Sequence, residues 1–569
     1  MPMARQMRIA VHMEGEMEIE PVAHHVGSMK ADDAGRLNSR SATGGWTAAI
    51  FNMGVEIAER SAYFGVSSNL ISYLTGPLGE SMSSAATAVN VWSGVSSMLP
   101  LVGAFVADSY LGRYRTIVLA SLLYLLGLGM LTLSSMPPTM NPSECTDFTA
   151  CPRTQFQAGV FYFSLYVIAF AQGGHRPCVQ TFGADQFDEN NLEECKSKSS
   201  FFNWWNFGVH ATSLVTTLAL NYVQDNIGWT LGFGIPWIFM GVALTIFLLG
   251  TRFYRCHLIE DKNPFAKIWK ACATLINSWQ RTSIFATSTN GSTEALLPHA
   301  SDRTKHSGYS QHESIDDAGQ EEEAKGLLQL FPIWAACLTS AAVLGQSTTL
   351  FTKQASTLDR RIGTSFQVPP AALQSFVRIS LIAFIPVYDR VIVPMARNFT
   401  GLPTGITMLQ RIGTGLFLSV IMMVAAALIE MKRLETARDF GLVDMPDVAI
   451  PMSMWWLLPP YVLDGIMFVL TFVGLQEFFY GQVREEMRSL GLAFYSSVLG
   501  AGELLSGFLV SVIDKVTGSR GESWFSDNLN HAHLDYFYWL LAGLSSIQLG
   551  LFLCFAQSYV YKKKVPTAL

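Results

Sequence analysis

The chain has 569 residues, of which 50% are hydrophobic and only 14% charged, so it is too long and too apolar for a single soluble domain. Its net charge of -6 is small for that length and excludes nucleic acid as a partner. The composition is that of an all-α polytopic membrane protein, whose partners are a lipid bilayer and a small-molecule substrate; the oligomeric state is left open.

Residues 1–45 form a polar tail that mixes Glu14, Glu16, Glu18 and Glu20 with Arg36 and Arg40. The tail has no apolar core of signal-peptide type, so insertion is expected to begin with the first spanning helix. Stretches of roughly 20 or more mainly apolar residues then recur about twelve times. They lie near 46–74, 82–107, 116–136, 156–180, 201–223, 229–251, 328–351, 371–394, 404–430, 453–480, 490–513 and 534–560. All are predicted as helices, because they are too long and too weakly alternating for barrel strands. A polar linker, 252–327, divides them into an N-terminal six-helix bundle (46–251) and a C-terminal one (328–560), and residues 561–569 form a tail. The linker begins basic, ends acidic and is rich in Ser, Thr, His and Gly between, a composition that predicts partial disorder. Residues 264–279 read either as an interfacial amphipathic helix or as a linker turn.

If the spans alternate, most basic connections fall on one side, which the positive-inside bias makes the cytosol, and both termini face it. Plasma membrane and vacuolar membrane both suit this topology. Cys145 and Cys151 share one short connection facing away from the cytosol, which leaves two readings open: a disulfide in an oxidising compartment, or two free thiols. No Cys/His spacing suggests a metal site, and no cofactor is expected.

The first span carries Glu56, Glu59 and Arg60 in an apolar setting. At about 100° per residue, these three fall on one stripe with Tyr63. A mid-membrane charge costs roughly 2.5–3.5 kcal/mol, so the stripe is expected to face a wet cavity and to be functional. Guanidinium groups stay protonated, so proton coupling falls to the two carboxylates, which are close enough to share a proton. A proton on the Glu pair frees Arg60 for a substrate's negative charge.

Two further pairings follow from a six-helix repeat. Asp108 at the end of the second span, with Arg113 and Arg115 at the entry of the third, matches Asp389 and Arg390 at the end of the eighth, an inter-helix cytosolic charge cluster that can hold neighbouring helices by charge-assisted bonds. The fourth span ends with Arg176 and the tenth with Glu477; as symmetry mates they are expected to meet across the halves, gating the site and binding substrate. Asn206 and Gln346 are weaker candidates for the pocket, since lone polar residues in helices more often bond a neighbouring helix. Glu503 and Arg378, also inside spans, have no assigned role.

These residues carry a resemblance. Glu56-Ile-Ala-Glu59-Arg60 with Tyr63-Phe64-Gly65, the loop from Asp108 to Arg115, Gly173-Gly-His-Arg-Pro-Cys with Phe182-Gly-Ala-Asp185-Gln-Phe-Asp188, and Phe202-Asn-Trp-Trp-Asn206-Phe-Gly208 together resemble the plant nitrate transporter and peptide transporter family, within the major facilitator superfamily. The resemblance implies a twelve-helix alternating-access proton symporter, with protons as the coupling ion at Glu56, Glu59 and Arg60 and substrate binding and gating at Arg176 and Glu477. Many members of that family carry Lys where Arg176 stands, and some nitrate-transporting ones carry His just before the Gln of the seventh helix. The corresponding stretch here is Val343-Leu344-Gly345-Gln346, in which leucine cannot donate to an anion. The expected function is therefore proton-coupled symport of nitrate, di- or tripeptides or another small anionic metabolite. The alternatives are a proton-independent facilitator or exporter of a specialised metabolite or hormone, or a nutrient receptor with little flux. An enzyme is not expected, since the sequence shows no nucleophile and base arrangement or phosphate loop.

Overall fold

The computed structural model describes residues 44–136, 155–187, 192–255, 330–363, 366–401, 406–482, 488–519 and 523–559. Most of the N-terminal tail, the linker from 256 onward, the connection holding Cys145 and Cys151, and the C-terminal tail lie outside the described residues.

The described residues form twelve helical rods, as a backbone in hydrocarbon must satisfy its own donors and acceptors. In the N-terminal half they are α1 (Gly45–Ser67, resumed as Leu70–Thr75), α2 (Met82–Val106), α3 (Arg113–Ser134), α4 (Gln155–Ala184), α5 (Leu192–Asn226) and α6 (Trp229–Leu249). In the C-terminal half, α7 comes in three pieces (Phe331–Ala335, Leu338–Thr348, Leu350–Ser356), and α8 runs from Ser375–Val387 through a wide π turn into Val393–Thr400. Then follow α9 (Met408–Asp439), α10 (Leu458–Phe468, a π turn, Gly474–Gln482), α11 (Arg488–Gly518) and α12 (Leu534–Ser558). Eight of the rods are long and apolar enough to cross a membrane by themselves. The other four are α1, which holds three charges, α5, which opens on a charged run, and the interrupted α7 and α8.

α3 shows how one apolar helix serves two environments. Ile117, Tyr124, Leu128 and Leu131 are buried against neighbouring rods, while Leu119, Leu122, Leu126 and Leu133 form an exposed stripe at helical spacing, the side that meets lipid. Several helices outlast their apolar stretch. α9 was predicted to end at 430 and continues to Asp439 through Lys432, Arg433, Glu435 and Arg438, because intrahelical hydrogen bonds persist after the side chains turn polar. It starts at a capping box in which Thr407 and Gln410 satisfy each other's backbone N–H groups.

The halves meet most extensively where α2 runs along α11. A Cβ added at Gly94 would lie 2.8 Å from the Gly500 carbonyl oxygen, so this crossing admits only glycine. The end of the molecule from which α1 starts is called the terminal side here, and the other the far side. On the far side two short strand pairings, absent from the sequence prediction, join β1 (Leu358–Asp359) to β4 (Ile450–Ser453) and β2 (Arg361–Ile362) to β3 (Phe366–Gln367). Bridges between the halves gather there too. Lys353 Nζ donates to Thr75 Oγ1 at 2.8 Å, and Gln374 Nε2 to the Ser68 carbonyl at 2.8 Å. The Met82 N–H donates to Asp527 at 2.8 Å, and Ser83 Oγ to Asp514 at 2.7 Å.

Candidate proton and substrate site

The α1 stripe is buried in full: Glu56, Glu59 and Arg60 are 5%, 0% and 2% exposed. Arg60 Nε donates to Glu56 Oε1 at 2.9 Å and stands 2.6 Å from Glu59 Oε2, a contact without hydrogen-bond alignment. The Tyr124 hydroxyl of α3 donates to Glu59 Oε1 at 2.7 Å. Glu56 Oε2, Glu59 Oε2 and Arg60 Nη2 have no hydrogen-bond partner among the described residues. His175 of α4 completes the cluster, with ligand-type atoms of Glu56, Glu59 and His175 all within 4.8 Å of one another. That grouping has the donor set of a cation site, and the Arg60 guanidinium already supplies a positive charge between its two carboxylates.

One turn further along α1, Tyr63 stacks on Trp92 of α2 (centroids 5.6 Å apart) and meets Phe64 edge-on at 5.3 Å. Each half of the molecule brings one guanidinium to these rings: Arg176 of α4 lies 5.9 Å from the Tyr63 centroid and Arg378 of α8 lies 4.5 Å from that of Phe64. Arg378 also lies within electrostatic range of Arg176, of His210 on α5 and of the buried Asp464 on α10. Glu503 of α11 accepts from Ser97 Oγ of α2 at 3.1 Å, again across the halves, and feels the Arg176 charge. Tyr63, Arg176, Arg378, Asp464 and Glu503 thus form one electrostatically linked group drawn from both halves.

Other candidates lie elsewhere. Glu477 does not pair with Arg176 here; half-exposed on the terminal side, it bonds to Arg411 of its own half at 3.2 Å. Arg411 sits 4.6 Å over the Tyr388 ring and donates to the Val469 carbonyl, so it ties α8, α9 and α10 together. Symmetry alone paired α4 with α10, and it took no account of a cation on the neighbouring α9. Gln346 is buried and donates to Ser506 Oγ at 3.0 Å, where Asn90 of α2 also donates; it bonds helices at the α2, α7 and α11 seam. The side chains of Asn206 and Asp108 lie outside what is described. Arg113 pairs with Asp185 at the end of α4 (2.5 Å), while Arg115, Asp389 and Arg390 are exposed.

The sequence reading missed Tyr124, His175 and Asp464 as site residues. Asp464 had a signal, since a carboxylate inside the span 453–480 falls under the same cost argument as Glu56. Tyr124 had none, being one ring in a leucine run.

Two helical bundles around a buried charged centre are the architecture of a multi-pass membrane protein with a polar functional core. A family profile described as PTR2, POT family, matches residues 114–525. The Arabidopsis thaliana protein NRT1/PTR FAMILY 5.10 is 54% identical over 533 residues, covering 92% of this chain and 94% of its own. NRT1/PTR FAMILY 5.14 of the same plant is 48% identical, covering 94% and 96%. Among solved structures, an auto-inhibited POT family peptide transporter superposes with a TM-score of 0.68 at 20% identity, covering 92% of this chain and 99% of that one. The chain belongs to the POT family and has its major facilitator fold. It is a multi-pass membrane transporter of small substrates, not an enzyme.

Proposed function

We propose that the chain is a proton-coupled symporter of a small anionic substrate, with Glu56 and Glu59 carrying the proton and Arg176 binding the anion. The observation that carries this reading is the adjacency of a carboxylate pair with unused hydrogen-bonding capacity to the neighbouring rings of Tyr63 and Phe64, which receive a guanidinium from each half. Two carboxylates against one Arg60 leave the cluster one negative charge in excess (-2 + 1 = -1), which one proton neutralises. Arg60 then loses part of its hold on the acids and turns its charge toward the substrate.

Arg176 and Arg378 approach aromatic faces, and an anion lodged between them relieves their mutual repulsion. Solved POT family structures whose folds resemble this one hold 5-aminolevulinic acid (TM-score 0.61, 15% identity) and alafosfalin (TM-score 0.62, 14% identity), and a small organic acid is the corresponding class here. The terminal side is taken as cytosolic, in the plasma or vacuolar membrane. The bridges on the far side then close the outer entrance, and the separate pairings of Arg176 and Glu477 belong to a state open to the cytosol. In an outward-open state Glu477 exchanges Arg411 for Arg176.

Uptake in oocytes or yeast, using nitrate, dipeptides, small carboxylic acids and plant hormones at acidic and neutral pH, tests the proposal. Accumulation of an anion that rises with external acidity is the expected result. Flux indifferent to pH would favour a facilitator, and binding without flux a receptor.

A further inference from the structure

We propose that His175 is the third member of the proton-binding cluster and accepts the coupling proton from Glu56 or Glu59. The inference rests on the proton-coupled reading above and adds a residue to it. α4 is fixed at this turn because Gly173 packs against the backbone of α2 at Gly103, where no side chain fits, and the next residues project toward α1 and α3. His175 is 0% exposed, and neither ring nitrogen has a hydrogen-bond partner among the described residues. One turn earlier, Gln172 is equally buried, and both its amide atoms are equally unpartnered. Apolar side chains would fill the same volume without the cost that a buried unpaired polar group carries, and such uncompensated groups call for a role.

The surroundings define that role. From α1 the imidazole faces Glu56, Glu59 and Arg60, with the acid oxygens and ring nitrogen within 4.8 Å. From α3 it meets Tyr124, whose ring stands edge-on at 6.0 Å and whose hydroxyl is engaged with Glu59. Leu99 and Gly103 of α2 pack against Gly173 beside this turn of α4, and α4 itself carries Gln172 and Arg176. Arg60 and Arg176 stay charged, so imidazole is the one nitrogen base here able to take and release a proton. Residues 175 and 176 are about 100° apart on the helix, so α4 turns a permanent cation to the Tyr63 ring and an exchangeable one to the acids. In the transfer, a carboxylic O–H bond breaks and an imidazole N–H bond forms. Total charge is unchanged, and both carboxylates return to Arg60, which resets the cluster.

Infrared difference spectroscopy on the full-length protein in lipid, with ring-labelled histidine and titrated across about pH 4 to 9, tests the transfer. In the unaltered protein, a buried imidazolium signal and a protonated carboxyl signal should titrate together. His175→Gln should remove the former and raise the latter about twofold, if the proton is shared equally. Glu59→Gln, read on the same labelled rings, supplies a second route should the first variant fail to fold: it should shift the buried imidazolium titration. A carboxyl titration identical in His175→Gln, or ring signals indifferent to Glu59→Gln, would overturn the assignment while leaving the Glu pair as the proton carrier. Absence of any titrating carboxyl in the unaltered protein would overturn both.

Discussion

Among the described residues, two Glu/Arg clusters are buried at helical spacing, and they are built to opposite ends. On α9, Arg433 donates to both oxygens of Glu430 (2.7 and 2.6 Å), to the Leu529 carbonyl (2.6 Å), to Asn530 Oδ1 (2.9 Å) and to Thr357 Oγ1 (3.3 Å). Gln354 of α7 donates to Glu430 as well, at 2.7 Å. Every polar atom of that pair is matched. On α1, Arg60 serves two carboxylates through one nitrogen, and three polar atoms of the trio remain unmatched. A closed network fastens α9 to α7 and to the segment at 529–530; an open one keeps capacity for a proton. Identical residue types therefore acquire structural or functional meaning from the partners around them.

Removing one member of the closed pair should produce the largest effect on folding. Arg433→Ala leaves Glu430 buried and unpaired, and about 3–5 kcal/mol of stability should be lost, read as a fall in the thermal midpoint in detergent. Replacing both by uncharged residues of similar volume should cost less than the single change; an equal or greater loss would break the contrast. For the open cluster, Glu59→Gln should change stability by about 1 kcal/mol or less, since the amide keeps the shape and accepts from Tyr124. A collapse in stability comparable to Arg433→Ala would make the trio structural. Arg176→Ala should weaken anion binding about 10- to 100-fold, the worth of one charge-assisted contact, with little change in folding. Unchanged affinity in well-folded protein would remove Arg176 from the site. The smallest effect belongs to Glu477→Gln, whose half-exposed pair with Arg411 should contribute under about 1 kcal/mol by the same thermal measurement.

The α1 cluster was legible in the sequence because three charges stood inside a long apolar run, where composition alone makes charge improbable. The α9 cluster was not: Arg433 fell beyond the apolar window and read as one more basic residue of a connection, although the helix runs on past it. Spacing also placed Tyr63 on the same stripe as the acids, which the helix geometry delivers. What spacing cannot carry is choice of partner. Glu477 meets Arg411 rather than Arg176 because a cation on the neighbouring α9 stands within reach, and His175 meets the acids because a glycine contact sets the depth of α4. Such contacts depend on helix rotation and crossing, for which a single chain carries no periodic signal.

The central claim is that the Glu56/Glu59 pair carries the coupling proton. It is tested most directly by comparing pH-driven accumulation with substrate exchange for Glu59→Gln in the same proteoliposomes, using the anion found to be transported. The account predicts that accumulation is lost while exchange persists. Accumulation at the level of the unaltered protein would contradict it.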